Sequence, residues 1–277
     1  MEIAATVVKA FRDKTGLPMM ECKKALVEAN GDEEKAIEIL RKSGAKTMAA
    51  RTDRETEAGR IALFTDAQKQ VTAMVELLCE SAPVANTEEF IELVNGLAEQ
   101  LATGPGAKTA EELLAQPFPG KKGVTLQHVY DDLVNKIREV FRLPRIVRVE
   151  GPCGAYVHHN AAVGVLLPID GTNVELGKDV SMHVASMKPK ALSEEDLEPA
   201  VVQKEREMIL TEVQTQSKGK PENVVQMIVD GKMKAYFAEH TLLGQPFVKD
   251  AAKTVAQVCE EGEIKIKEMI HWILGQS

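Results

Sequence analysis

Apolar positions in the first stretch of the chain repeat with a helical period. Ala4, Val7, Val8 and Phe11 fall at i, i+3, i+4 and i+7, which is one stripe of a helix. Thr15-Gly16 ends that helix, and Pro18 opens a second that runs to about Asn30, with Gly31 as its stop. Asp32 caps a third. Glu33 and Glu34 suit the positive end of its dipole, Ala36, Ile37 and Leu40 form its inner face, and Gly44 ends it. Residues 1–44 therefore read as a three-helix module. A core this small leaves the module marginal alone. Residues 45–58, small and charged, read as a linker or a solvated helix.

From Gly59 the period changes. Arg60–Phe64 and Val71–Leu78 flank a polar turn, Thr65 to Gln70, which signals a hairpin. A helix is expected at about Glu88 to Ala102. A Gly- and Pro-rich stretch follows, with one helical piece at Ala110–Gln116, and then a helix at about Leu126 to Phe141. These make a first α+β subdomain, 59–144. The pattern then recurs. Gly154–His158 and Val163–Ile169 flank a turn at His159–Ala162, a helix follows at about Asp179–Met187, and Arg145–Glu150 offers a third strand.

Residues 193–240 are almost entirely helical in pattern. Glu195–Gln216 and Glu222–Leu242 are separated by Gly219-Lys-Pro221, which predicts an antiparallel helical hairpin inserted in a second subdomain, 145–277. Ile264–Leu274 fits a strand returning to the second sheet, and a helix nearly as well. The fold class is α+β: three helices, then a two-part core of antiparallel sheets with helices and the inserted hairpin.

Composition removes several function classes. The chain has 277 residues, 44% hydrophobic and 27% charged, ordinary for a soluble globular protein. Aromatics are 4%, so the cores are aliphatic. A net charge of −8 argues against binding a phosphate backbone. No stretch approaches the ~20 apolar residues of a membrane span, and no basic start precedes an apolar core as in a signal peptide. Cys22, Cys79, Cys153 and Cys259 lie far apart, without Cys-x-x-Cys spacing, and fit buried free thiols in a reducing cytoplasm.

The chemistry-bearing residues have bland explanations. Gly104-Pro-Gly-Ala-Lys-Thr109 lacks the Gly before Lys and the preceding strand of a phosphate loop, so it reads as a connector. His158 and His159 are adjacent and point apart if extended, and no other His or Cys has ligand spacing around them. His183 and Asp179 lie four apart on a helix, which suits a packed histidine with a carboxylate neighbour. Glu111-Glu112, Glu194-Glu195 and Glu260-Glu261 suit solvated faces, and Lys121-Lys122 has no aromatic stacking partners. No catalytic group, metal site or cofactor is expected, and no direct nucleic-acid binding.

One run stands apart: Arg12-Asp-Lys-Thr-Gly-Leu-Pro-Met-Met-Glu-Cys-Lys-Lys-Ala-Leu26. Met19 and Met20 are neighbours at a helix start, and neighbours on a helix point about 100° apart. They cannot both face one core, so at least one is exposed as a pliable apolar contact.

That run resembles the N-terminal signature of the elongation factor Ts family. Glu28-Ala-Asn-Gly-Asp32, Lys35-Ala-Ile37, Tyr156-Val-His158 with Val163–Leu166, Asp179–Pro189, Glu205-Arg-Glu207, Gly219-Lys-Pro221 and Leu243–Asp250 continue the likeness along nearly the whole chain. The resemblance implies a bacterial, cytoplasmic translation elongation factor without covalent chemistry, whose first domain is of the ubiquitin-associated type. It implies binding of elongation factor Tu, GDP-bound and nucleotide-free, with opening of its nucleotide pocket. By resemblance the partner-binding positions are Arg12, Met19, Met20, Ser81, Ala82, Pro83, Val84, Ala85, Asn86 and His158. The hairpin is expected either to pair two copies of the chain or to contact the partner.

Two departures matter. Where the family usually carries Thr-Asp-Phe, this chain has Ser81-Ala82-Pro83, so the Phe that wedges near the partner's magnesium site is missing. Phe90 sits at an apolar helix position and is expected in the core. Many relatives also continue into a C-terminal helix, and with the sequence ending at Ser277 that contact is expected to be absent. The missing wedge leaves a second expectation open: a factor that holds elongation factor Tu with little exchange activity. A ubiquitin-associated adaptor would use residues 1–44 alone and leave the other matches unexplained.

Overall fold

The computed structural model describes residues 3–49, 51, 53–216 and 221–276. It opens with three helices, α1 (Ala5–Thr15), α2 (Met19–Glu28) and α3 (Glu33–Ala49). Phe11, Cys22, Leu26 and Ala36 are fully enclosed between them. The helix expected to end at Gly44 instead runs on to Ala49. An interior glycine costs a helix only about 1 kcal/mol, and this one has a packing role described below.

β1 (Ala58–Asp66) and β2 (Val71–Cys79) form the predicted hairpin, with Ala62 opposite Val75. A single turn, α4 (Ala82–Ala85), leads into α5 (Glu88–Thr103), then α6 (Ala110–Leu114) and α7 (Leu126–Ile137). Thr87 and Thr125 cap α5 and α7 by accepting the backbone N–H three residues on. α7 ends four residues before the expected Phe141, because Arg138 takes a left-handed conformation and turns the chain into a strand.

That strand, β3 (Arg142–Glu150), corrects the predicted grouping. It pairs with β2, Val75 opposite Ile146, and so completes the first sheet in the order β1-β2-β3. The sequence pattern had placed Arg145–Glu150 with the second hairpin. The central strand decides the matter: all nine β2 residues are buried, Glu76 among them, and its carboxylate takes Arg145 from β3 as its cation. Phe90, Leu93, Leu97 and Leu101 of α5, with Leu113, Leu126 and Phe141, pack on this sheet.

β4 (Cys153–Val157) and β5 (Val163–Asp170) form the second hairpin, and α8 (Val174–Met187) follows. α8 lies so close on β4 that a Cβ on Gly154 would sit 2.3 Å from the Gly177 carbonyl carbon; the contact requires glycine. α9 (Pro199–Gln216) and α10 (Glu222–His240) are the predicted helical pair, meeting through Ile209, Val213, Val229 and Met233. The predicted break at Gly219-Lys220 lies outside the described residues. β6 (Pro246–Phe247), β7 (Asp250–Thr254), α11 (Val255–Glu261), β8 (Lys265–Ile266) and β9 (Ile270–Ile273) complete the chain. The second sheet runs β4-β5-β8, with β9 also on β5, so the terminal segment is strand and not helix.

The chain divides into two compact units. One holds everything up to Glu150, with His159–Gly164 and the segment from Trp272; the other holds Gly151–His158 and Val165–His271. Among the described residues no helix is long and apolar enough to cross a membrane, and no group of His, Cys, Asp or Glu side chains is arranged to hold a metal ion.

Candidate functional site

The segment after β2 is built to hold a small apolar turn rigidly at the surface. β2 is enclosed along its length and ends at Cys79, so the chain emerges from the core at a fixed point. Ser81 then donates twice to Glu139, from its N–H to Oε2 at 3.1 Å and from its Oγ to Oε1 at 2.6 Å. Glu80 accepts from the Val140 N–H at 2.8 Å and from Arg54 at 3.1 Å. At the far end, Arg60 donates to Asn86 Oδ1 at 3.0 Å, and Asn86 Nδ2 donates back to the Ala82 carbonyl at 2.9 Å. Charge-assisted bonds are the stronger kind, and they pin this one-turn helix at both ends.

Between those anchors Ala82 and Pro83 are exposed, Val84 is half-buried and Ala85 is buried. Ala85 thus seats the turn on the core and does not offer its side chain outward. The polar groups of Ser81 and Asn86 are committed to intramolecular bonds. This arrangement can press on or exclude a partner. Burial raises the Cys79 thiol to about 11, with the nearby Glu139 charge adding to it, so the thiolate is not formed near neutrality. Burial does the same at Cys153 and Cys259.

The N-terminal module carries a second exposed feature. Met19 is 40% and Met20 63% exposed, so both methionines face out. With Ile3, Ala4, Val8 and Lys23 they line an open groove of about 650 Å³. The Arg12 side chain is half exposed, with Asp13 at 3.9 Å as its nearest acid. His158 belongs to the other compact unit and follows β4; Tyr156 Oη lies 2.8 Å from its Nδ1.

His183 differs from the sequence reading. It is fully buried, but its partner is not Asp179, which pairs with Lys249 at 2.6 Å. His183 Nδ1 accepts from the Val248 N–H at 3.2 Å, which leaves the proton on Nε2 facing Gln245 Oε1 at 2.9 Å. Gln245 Nε2 donates to the Glu239 carbonyl at 2.7 Å, which fixes the amide in the matching orientation. Desolvation holds this histidine below its ordinary range.

Sequence reasoning missed Glu139 and Arg60 as supports of the 81–86 turn. Each is an ordinary charged residue distant in sequence from its partner, and no local spacing marks it.

A family model described as Elongation factor TS matches residues 80–276. The chain is 41% identical over 277 residues to an elongation factor Ts of Kineococcus radiotolerans, covering 98% of each chain. It is 39% identical to one of Corynebacterium urealyticum (99% of this chain, 98% of the relative) and 36% identical to one of Hydrogenobaculum sp. (99% and 100%).

Proposed function

The chain belongs to the elongation factor Ts family, and on that premise we propose that it acts in translation elongation by binding elongation factor Tu with GDP and promoting GDP release. The observation that supports this reading most is the doubly anchored turn at Ala82-Pro83, a surface element held at both ends by charged side chains. Met19, Met20 and Arg12 supply affinity, and the 81–86 turn and His158 bear on the nucleotide side of the partner. Displacement of the partner's phosphate loop and magnesium site does the work. Without an aromatic wedge, Pro83 excludes volume but reaches less far, so a larger share of the distortion passes through the contact at His158.

Exchange is a coupling problem. A factor that binds the nucleotide-free partner more tightly than the GDP form must, by linkage, be weakened by GDP in the same ratio. Calorimetric titration of elongation factor Tu with and without GDP tests this. Tighter binding to the nucleotide-free form, by more than the ~5–150-fold of ordinary couplings, fits an exchange factor. Equal affinities fit the alternative, a holding factor with little exchange activity, which the absent wedge favours.

A further inference from the structure

The three-helix module is fastened to α7 by a reciprocal pair of ion pairs around a close backbone contact. Arg41 of α3 makes two bonds to Asp132 of α7, Nε to Oδ1 and Nη2 to Oδ2, both at 2.6 Å. In the opposite sense, Arg138 at the end of α7 donates to Glu21 of α2 at 2.6 Å. Between the two, Gly44 abuts Asn135, a buried residue of α7: a Cβ on Gly44 would fall 1.3 Å from Asn135 Oδ1. The Lys136 stem lies over Gly16, where a Cβ would meet Cε at 3.3 Å. This explains why α3 passes through a glycine that costs it helix stability.

The fastened face and the apolar face of the module are different. Docking uses Glu21, Arg41 and Gly44, while Met19, Met20 and Arg12 stay exposed. A docked module can therefore still offer its methionines. We propose that Gly44, with the Arg41–Asp132 and Arg138–Glu21 pairs, positions the module on α7 in the free protein, so that its methionine face is held ready for the partner. This rests on the function proposed above for that face. The gain is preorganisation: an undocked module must be ordered when the complex forms, which costs affinity without touching any contact. Gly44 is a positioning residue and touches no partner.

The experiment places spin labels at two exposed sites, Lys9→Cys on the module and Lys122→Cys on the core, and reads their distance distribution in the free, full-length protein. One narrow population is expected. Gly44→Ala should broaden it, although alanine favours the helix itself, because the new methyl collides with Asn135. Arg41→Asp should broaden it too, and Arg41→Asp with Asp132→Arg should recover most of the narrowing. Broadened variants should bind elongation factor Tu about tenfold more weakly, the scale of two surface ion pairs, with an unchanged maximal rate of GDP release at saturation. A broad distribution in the unsubstituted protein, a narrow one in Gly44→Ala, or unchanged affinity in a broadened variant overturns the proposal. If even the unsubstituted protein forms no complex, the proposed function fails and the positioning role with it; the distances then still report on docking.

Discussion

Glu76 and Arg145 face each other across the first sheet and make a two-point ion pair, Nε to Oε2 at 2.7 Å and Nη2 to Oε1 at 2.6 Å. Glu76 is 2% exposed. The pair also gathers the end of the chain. The Gly275 N–H donates to Glu76 Oε1, Arg145 donates to the Ile273 carbonyl, and the guanidinium lies 4.8 Å from the Trp272 ring centre. One buried carboxylate thus ties together the central strand, its neighbour and the terminal segment.

Removing one partner should be costly. Glu76→Ala leaves Arg145 half-buried without its anion and the Gly275 N–H without its acceptor, and is expected to cost about 3 kcal/mol of stability. Glu76→Leu with Arg145→Met should cost less than Glu76→Ala, because no uncompensated charge stays behind. Urea denaturation of the three proteins measures both.

This pair also shows where the sequence was legible and where it was not. Period alone located the three helices, both hairpins and the helical pair, because each buries one face of a local repeat. It could not choose a partner for Arg145–Glu150, since strand pairing depends on Glu76, which is sixty-nine positions from Arg145. Gly44 looked like a helix end because its reason for being glycine, Asn135, is distant in sequence. That at least one methionine is exposed was legible because adjacent helix positions cannot share a core; that both face out was not. The supports of the 81–86 turn were not, because Glu139 and Arg60 carry no local mark.

Loosening the turn should impair function as well as folding. Ser81→Ala removes the 2.6 Å bond to Glu139 at a partly exposed site, and should cost about 1 kcal/mol of stability. We expect the maximal rate of GDP release to fall roughly 3- to 10-fold, the equivalent of about 1 kcal/mol of lost distortion. Thermal melts and saturating exchange assays on the same preparation separate the two effects.

Met20 is exposed enough for its contribution to the fold to be small. Met20→Ala should leave stability within about 0.5 kcal/mol. It should weaken the complex with elongation factor Tu about tenfold, as truncation of an apolar anchor in an interface does. Calorimetry and denaturation of the variant check the pair of outcomes.

Stability should fall in mild acid through His183. Its folded form is neutral, with Nδ1 accepting from Val248, and burial lowers its affinity for a proton below the ordinary 6.5. The unfolded chain therefore binds more protons than the folded one below about pH 6.5, so stability rises with pH in that window and is lost as pH falls through it. His271, lowered by burial and by Lys188, adds in the same sense. Denaturation midpoints at pH 7.5 and 5.0 should differ less in His183→Leu than in the unsubstituted protein, although the variant is weaker at pH 7.5.

The central claim is that this chain promotes exchange without an aromatic wedge, through the rigid Ala82-Pro83 turn together with the contact at His158. Release of a fluorescent GDP analogue from elongation factor Tu, followed by stopped flow across factor concentrations, tests it most directly. The account predicts a release rate that climbs far above spontaneous release and saturates. Saturable binding with no acceleration contradicts it and leaves a factor that only holds its partner.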